Sequence, residues 1–525
     1  MTNNYDSIME ADVIMVIGSN TTETHPVIAS WFKECRKNRK SKLIVCDPIC
    51  IPLADDADFY LQHLSGSDTA LLNGLMHVII KEELYDKDFI ENNADGFEEL
   101  KTIVSEYDPE RVSKLTGINK DIITSVARIY ANGPNSAIFY TMGITQHCHG
   151  TNNVRSIANL ALLCGMFGRP GTGVNPLRGQ NNVQGACDVG ALPEVFPGYQ
   201  KALDKNVIKH FEEAWNSSLP SSQGKTIVKI TEAINHSGIK GLFIMGENPL
   251  VSDPHTEHVK EALKKLDILV VQDLFLTETA SMADVVLPAA CWAEKDGTFT
   301  NTCRSVLRVR KAVEPPGEAK ADWEILLELA KACGADWKFN SPSEIMNEIN
   351  KLVPQYGGIT YKRLENEIIS WPCIDENHPG TPNLYTNGFP RKKALFKPVD
   401  YREPHEWPDE NYPFLAITGR LRFHYHSGTM TRRSKTKDLV NFLEIDMNPK
   451  DSEKLKLKEG DLIKVTSRRG SVTGQVKISQ RLKEGTVFLP FHFGEAPANA
   501  ITALAWDETT ETPAYKISAV ALEKL

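Results

Sequence analysis

Short apolar runs alternate with amphipathic segments through the first half of the chain. Val13 to Ile17 carries no polar residue and stops at Gly18, and a segment with Pro26 in its first turn then reads as a helix to about Asn38. A second strand, Lys42 to Asp47, completes a β-α-β unit. Strands this apolar predict a parallel sheet covered on both faces. A third, Ser136 to Thr141, ends in Met142-Gly143-Ile144-Thr145-Gln146-His147. Gly66-Ser67-Asp68 reads as the N-cap of an apolar helix. Charged helical segments run from Ser113 to Ala131, and Asn153 to Phe167 is helical and strongly apolar.

The opening pattern recurs. Gly241 to Met245 repeats the strand, and Gly246-Glu247-Asn248 repeats the turn Gly18-Ser19-Asn20. Asp47 follows Gly18 by 29 residues and Asp273 follows Gly246 by 27, and Asp58 and Asp284 each lie eleven residues further on. A glycine at a strand's carboxyl end, ahead of a helix N-terminus, is where such folds bind phosphate. A strand-end Asp can accept both N1–H and N2–H of a guanine, a pairing adenine cannot make. Two copies predict two bound nucleotides, or one nucleotide and a relic.

Between the copies, Pro170 to Gly190 holds five glycines and two prolines in twenty-one residues, a composition that excludes a regular helix or strand. Arg178 stands there among Gln and Asn side chains, which suit an anion and an amide-like heterocycle, so the stretch reads as a functional loop. Residues 370 to 412, rich in Pro, Asn and Gly, read as a linker. Beyond Tyr412, short strands at Phe414 to Thr418, Leu462 to Ser467, Ser471 to Ile478 and Thr486 to Leu489 predict a small β-barrel. Arg420, Arg422, Arg432 and Arg433 fall within fourteen residues at its first turn and point to a polyanionic ligand. His424-Tyr425-His426 offers a metal only two ligands.

Composition narrows the class. With 525 residues the chain should hold about three or four domains. A net charge of −9 argues against non-specific nucleic-acid binding. The start lacks the pattern of a signal peptide and the longest apolar runs are too short to span a bilayer, which predicts a soluble, cytoplasmic protein without membrane insertion. The ten cysteines are scattered with no Cys-x-x-Cys, which predicts reduced, mostly buried thiols.

Gly18 to Pro26, Met142 to His147 and the run Gly173 to Gly190 with Ala191-Leu192-Pro193 resemble the catalytic subunit of molybdenum- or tungsten-dependent formate dehydrogenases, of the bis-molybdopterin guanine dinucleotide superfamily. Glu294 to Asn301, Gly419 to Arg433 and Phe491 to Lys516 are similar to that family's later motifs, so the resemblance covers essentially the whole chain. It implies an α/β fold of two pseudo-repeated Rossmann-like parallel-sheet domains, over 1–180 and 181–369, a linker over 370–411 and a C-terminal β-barrel over 412–525. It implies that Gly18, Asn20, Asp47, Gly66, Asp68, Met142, Gly143 and Gln146 contact one dinucleotide, and that Gly246, Asn248, Gln272, Asp273 and Asp322 contact the other. Gln180 is a further cofactor contact, and Thr418, Arg420, His426, Asn499 and Lys516 come from the barrel. Arg178 matches the substrate-site arginine. The implied reaction is oxidation of formate to CO2, or its reverse, with electrons leaving through a [4Fe–4S] cluster to iron–sulfur partner subunits. Nitrate reduction and a non-catalytic structural role are the alternatives.

Three departures from the family pattern stand out. Ile49 follows Asp47-Pro48 where the family usually has Arg, and Asn301-Thr302-Cys303-Arg304-Ser305 carries one Arg fewer than its counterpart. The family's four-cysteine cluster motif, and the selenocysteine or cysteine that ligates the metal, have no matching context in these residues. They are expected upstream of Met1, an in-frame UGA selenocysteine codon having been read as a stop and a later Met taken as the start; the alternative is a genuine split or degenerate subunit. On either expectation the 525 residues alone are inactive.

Overall fold

The computed structural model describes residues 1–525, which form two compact units. One comprises Met1–Leu177, Leu250–Val259 and Asn383–Leu525, the other Arg178–Pro249 and Lys260–Pro382. No helix is long and apolar enough to cross a membrane. All ten cysteines are free thiols.

The first unit is built on a five-stranded parallel sheet. β1 (Val13–Ile17) leads through α1 (Pro26–Arg39) to β2 (Lys42–Cys46) and β3 (Phe59–Leu61). α2 (Asp68–Lys81) follows, then β4 (Ser136–Tyr140), α3 (Gly150–Leu163) and β5 (Gly173–Pro176). The order across the sheet is β3-β2-β1-β4-β5. Every residue of β1 and β4 is buried, as their unbroken apolar runs require. Helix α2 begins where expected, but the Ser67 hydroxyl bonds back to the Leu64 carbonyl at 2.6 Å and makes no capping bond.

The expectation that Pro170 to Gly190 has no regular structure is wrong. β5 lies inside it as an edge strand, and α4 (Val183–Asp188) is helical. An edge strand needs ladder bonds on one side only, and Pro176 sits at its end, where a missing N–H costs little. Gly171 and Gly173, at φ +77° and +98°, turn the chain into the strand.

In the second unit, β6 (Gly241–Met245), β7 (Ile268–Asp273) and β8 (Val285–Pro288) form a parallel sheet with β7 central. The hairpin of β9 (Gly297–Thr300) and β10 (Ser305–Val309) and the helix α5 (Asp322–Ala332) follow. Coverage on both faces does not extend to this sheet, because Met245, Ile268, Val285 and Val286 are all exposed.

The carboxyl-terminal strands close into a barrel, and they belong to the first unit. β11 (Phe414–Gly419), β12 (Glu444–Met447), β13 (Leu462–Thr466), β14 (Ser471–Ile478), β15 (Thr486–Pro490) and β16 (Ser518–Lys524) are ordered β11-β15-β12-β14-β13-β16, with β16 returning to β11. Alternate residues such as Ile463 and Val465, or Val472 and Val476, point into its core.

The expected linker is ordered on both sides of the unit boundary. In the second unit Arg304, almost wholly buried, donates to the carbonyls of Trp371, Thr381 (3.0 Å) and Pro382 (3.1 Å). In the first unit Asn73 donates to Val399 O at 2.8 Å, and Asn159 bonds both the N–H and the carbonyl of Lys397. A Pro- and Gly-rich composition removes regular structure but leaves carbonyls to satisfy, and these side chains satisfy them.

Candidate functional site

In the first sheet the chain leaves β1 toward β2 on one side and returns to β4 on the other. That reversal opens a crevice at the carboxyl ends of the strands. Gly18 and Gly143 meet there: the Gly143 N–H donates to the Gly18 carbonyl at 3.2 Å, and Thr141 Oγ1 donates to the same carbonyl at 2.9 Å. A Cβ on Gly143 would stand 2.4 Å from that oxygen. Met142 opens the short helical turn that carries Gly143, and Gln146 closes it.

A buried charged cluster lies around this crevice. Asp47, at the end of β2, accepts the Ile49 N–H at 2.9 Å, so the residue that replaces the family's Arg supplies a main-chain contact instead. Burial pushes the Asp47 carboxyl up to about 6. His63 Nε2 lies 3.0 Å from Asp68 Oδ1. His147 Nε2 bonds the Gly143 carbonyl at 2.8 Å, and burial lowers its pKa. Lys516 Nζ donates to the Thr418 carbonyl at 2.9 Å; burial brings its pKa down to about 8 while Asp47 opposes the fall. Gly66, at φ +83°, is packed against Pro404 and Ile517. His63 and His147 were not among the expected site residues, although His147 closes the Met142 to His147 motif.

The barrel residues reach the same unit through ordered loops. Thr418 Oγ1 donates to Tyr515 O at 2.9 Å. Arg420 donates through Nε to His424 O (2.9 Å) and through Nη1 to Thr24 O (3.4 Å). The loop is pinned by His492, which no sequence signal singled out: Nδ1 bonds His426 O at 2.5 Å and Nε2 accepts the Leu421 N–H at 2.9 Å. Burial drives its pKa down to about 3, so it is neutral with the proton on Nδ1. Of the other arginines, Arg432 pairs with Glu495 at 3.1 Å and Arg433 donates to Thr429 O at 2.8 Å. His424 and His426 do not converge on a metal, since His424 Nε2 bonds Val440 O at 2.7 Å and no metal-holding group of three ligands forms. Asn499 Nδ2 donates to the carbonyls of Val251 (2.8 Å) and Ser252 (2.9 Å).

The second unit repeats the first turn bond for bond. The N–H of Gly18 donates to Cys46 O at 2.9 Å, and that of Gly246 to Gln272 O at 2.8 Å. Asp58 accepts the Leu43 N–H at 2.9 Å, and Asp284 the Leu269 N–H at 2.7 Å. Asn248 accepts from Thr279 N (3.2 Å) and Oγ1 (2.7 Å), Gln272 donates to Asp322 at 2.7 Å, and Lys295 pairs with Asp322. Asp273 accepts the Leu274 N–H at 2.6 Å. Gly246 differs from Gly18 in its surroundings, because a Cβ on it would meet nothing within 4 Å.

Arg178 and Gln180 fall in this second unit. The Arg178 N–H donates to Thr302 Oγ1 at 2.9 Å, and its Nε donates to Gln184 Oε1 at 3.2 Å. Arg304 does not line this loop, since its guanidinium is spent on the 371–382 carbonyls.

Residues 1–332 match the family described as Molybdopterin oxidoreductase, and residues 414–519 match the Molydopterin dinucleotide binding domain. The chain belongs to the molybdopterin oxidoreductase family. Among relatives of this molybdopterin oxidoreductase, it is 53% identical to the F420-dependent formate dehydrogenase subunit alpha of Methanocaldococcus jannaschii, over 100% of this chain and 78% of that one. It is 37% identical to formate dehydrogenase H of Escherichia coli, over 100% of this chain and 74% of that one. Acetylene hydratase from Pelobacter acetylenicus shares the fold, with a TM-score of 0.77 at 21% identity over 98% of this chain and 78% of that chain.

The residues present fit a molybdopterin dinucleotide. Asn20 Oδ1 and Asn499 Oδ1 in the first unit, and Gln272 Oε1 in the second, are buried without a hydrogen-bond partner, and each belongs to a residue expected to touch such a group. Buried amide oxygens are rarely left unpaired, and a bound group rich in N–H donors would satisfy them. The buried Lys516 ammonium, bonded to one carbonyl, suits an anionic group in the same unit.

Proposed function

We propose that this chain is the greater part of a formate dehydrogenase catalytic subunit, converting formate to CO2, a proton and two electrons, or running the reverse. The observation that carries the reading is the 53% identity, over the whole chain, to a formate dehydrogenase subunit. Gly18, Asn20, Asp47, Gly66, Asp68, Met142, Gly143, Gln146, Thr418, Arg420, His426, Asn499 and Lys516 would hold one guanine dinucleotide. Gln180, Gly246, Asn248, Gln272, Asp273 and Asp322 would hold the other. Molybdenum or tungsten, held by the two pterins, supplies the two-electron acceptor. Arg178 binds the substrate, its planar guanidinium matching a carboxylate in charge and shape.

The relatives are longer than this chain, and we place the metal's protein ligand and the [4Fe–4S] cluster on residues outside these 525. Electrons then leave to iron–sulfur partner subunits, and the 525 residues alone do not turn over. The test is formate-dependent dye reduction by the complete enzyme, alongside metal analysis and acid release of GMP. Two GMP per metal with formate turnover is the expected result. Neither metal nor GMP would leave a structural subunit, and nitrate-dependent dye oxidation without formate turnover would replace formate by nitrate.

A further inference from the structure

Behind Arg178 stands a carboxylate that the reading above does not use. Asp188, at the end of α4, is fully buried and accepts three hydrogen bonds from uncharged donors. Gln184 Nε2 (2.8 Å) and the Tyr199 hydroxyl (2.7 Å) reach Oδ1, and the Tyr356 hydroxyl (2.6 Å) reaches Oδ2. Gln184 Nε2 also bonds the Tyr199 hydroxyl at 3.0 Å. Thr300 Oγ1 bonds the Tyr356 hydroxyl at 3.0 Å, and the Thr300 N–H donates to Asn182 Oδ1 at 2.9 Å, which ties the group to β9.

We propose that Gln184, Asp188, Tyr199 and Tyr356 form a positioning unit for Arg178, holding its guanidinium at one angle by the Nε edge. An amide can present either its oxygen or its NH2 to a neighbour. With Asp188 beside it, Gln184 must turn its NH2 to the carboxylate, because the opposite flip would set oxygen against oxygen. Its oxygen therefore faces Arg178, and Nε finds an acceptor in a fixed place. A buried carboxylate without a cation is a costly way to close a loop, and apolar side chains would close it at less cost. Tyr199 adds to that cost with φ +58°, a conformation in which few residues with a Cβ persist unless their surroundings impose it. Burial raises the pKa of both tyrosines and the Asp188 charge raises it further, so they remain donors throughout the neutral range.

The inference rests on Arg178 being the formate-binding residue, and the test separates the two claims. In the complete enzyme, Gln184→Met removes the acceptor and should raise the KM for formate about tenfold, the usual worth of a hydrogen bond to a charged group. Asp188→Asn should act in the same direction. The pair Gln184→Glu with Asp188→Asn, which restores an acceptor facing Arg178 and a donor behind it, should recover most of the loss. Metal content and thermal midpoint are measured on each variant. Should Asp188→Asn fail to fold, Tyr199→Phe removes one hydroxyl at a partly exposed position and asks the same question. In an Arg178→Lys background, which has no Nε–H, none of these changes should cost anything further. Equal losses in both backgrounds, with Arg178→Lys itself impaired, would overturn the positioning unit and leave Arg178 standing. An Arg178→Lys enzyme with unchanged formate kinetics would overturn both.

Discussion

Nε2 of His63 lies 3.0 Å from Oδ1 of Asp68, and only 1% and 3% of the two side chains is exposed. Burial pulls the His63 pKa down, but Asp68, Asp47 and the Leu61 carbonyl together outweigh it and the net shift is upward. Burial pushes Asp68 up, but His63, His147 and its own main-chain N–H together outweigh it and the net shift is downward. The His63 contribution to stability is complete below its unfolded value near 6.5 and is lost as pH rises through the folded value. The Asp68 contribution is present above 3.8 and lost as pH falls through its folded value. Breaking a buried pair strands the remaining charge, so His63→Gln should cost about 3–5 kcal/mol near pH 6. The penalty should shrink at alkaline pH, where the wild type has lost the same proton. Urea melts of both proteins across that range check it, and a pH-independent difference would remove the charge from the account.

Asp47 carries a second pH signature. Its carboxyl is pushed up to about 6, whereas a guanine needs the ionised form as a double acceptor. Binding of GMP to the cofactor-free chain should therefore release a proton and strengthen about tenfold between pH 5 and 7. Calorimetric titrations at the two pH values measure it. Asp47→Asn should bind weakly and with no such slope, and an unchanged slope would assign the proton to another group.

Arg178 can be tested against a phosphate-binding role in the complete enzyme. Losing a charge-assisted pair in a desolvated site is worth about 2–4 kcal/mol, or roughly 30- to 1,000-fold in kcat/KM. Both Arg178→Lys and Arg178→Ala should fall by that much for formate while keeping metal and GMP. Retained turnover in Lys, together with lost cofactor in Ala, would make Arg178 a cofactor anchor.

The crevice glycine Gly143 and the turn glycine Gly246 should answer alanine differently. Gly143→Ala would force a methyl to within 2.4 Å of the Gly18 oxygen, and overpacking against backbone should cost about 3 kcal/mol along with cofactor content. Gly246→Ala meets no atom, so only its φ of +65° opposes it, at about 1 kcal/mol. Thermal melts and GMP content decide the ranking, and equal losses would show that the crevice contact does not matter.

Much of this was legible because it repeats or alternates. The apolar runs of β1, β2 and β4 and the spacing from Gly18 to Asp47 mark the sheet and its turn, and Val472, Val476 and their neighbours mark the barrel. β5 and α4 were hidden because glycine and proline normally break such elements: in β5 the proline sits at the end of an edge strand that tolerates it, while α4 is a short helix that carries Gly185 inside it. The order of the 370–412 segment comes from distant donors, Asn73, Asn159 and Arg304, that no local pattern announces. His492 escaped for the same reason, its partner the Leu421 N–H lying far along the chain. His63 and His147 bond partners only five and four residues away, Asp68 and the Gly143 carbonyl, and what the sequence hides there is their burial.

The contact between Gly18 and Gly143 also bears on how this chain can change over generations. Two positions 125 residues apart behave as a single letter, because neither can gain a side chain while the other keeps its place. Neutral drift is closed to both. The matching turn at Gly246, with the same hydrogen bond and open space above it, is under no such lock. A duplicated half has thus kept its geometry while its two copies inherited unequal freedom. A library randomised at all three glycines should keep the first two nearly invariant and let the third wander toward asparagine and alanine.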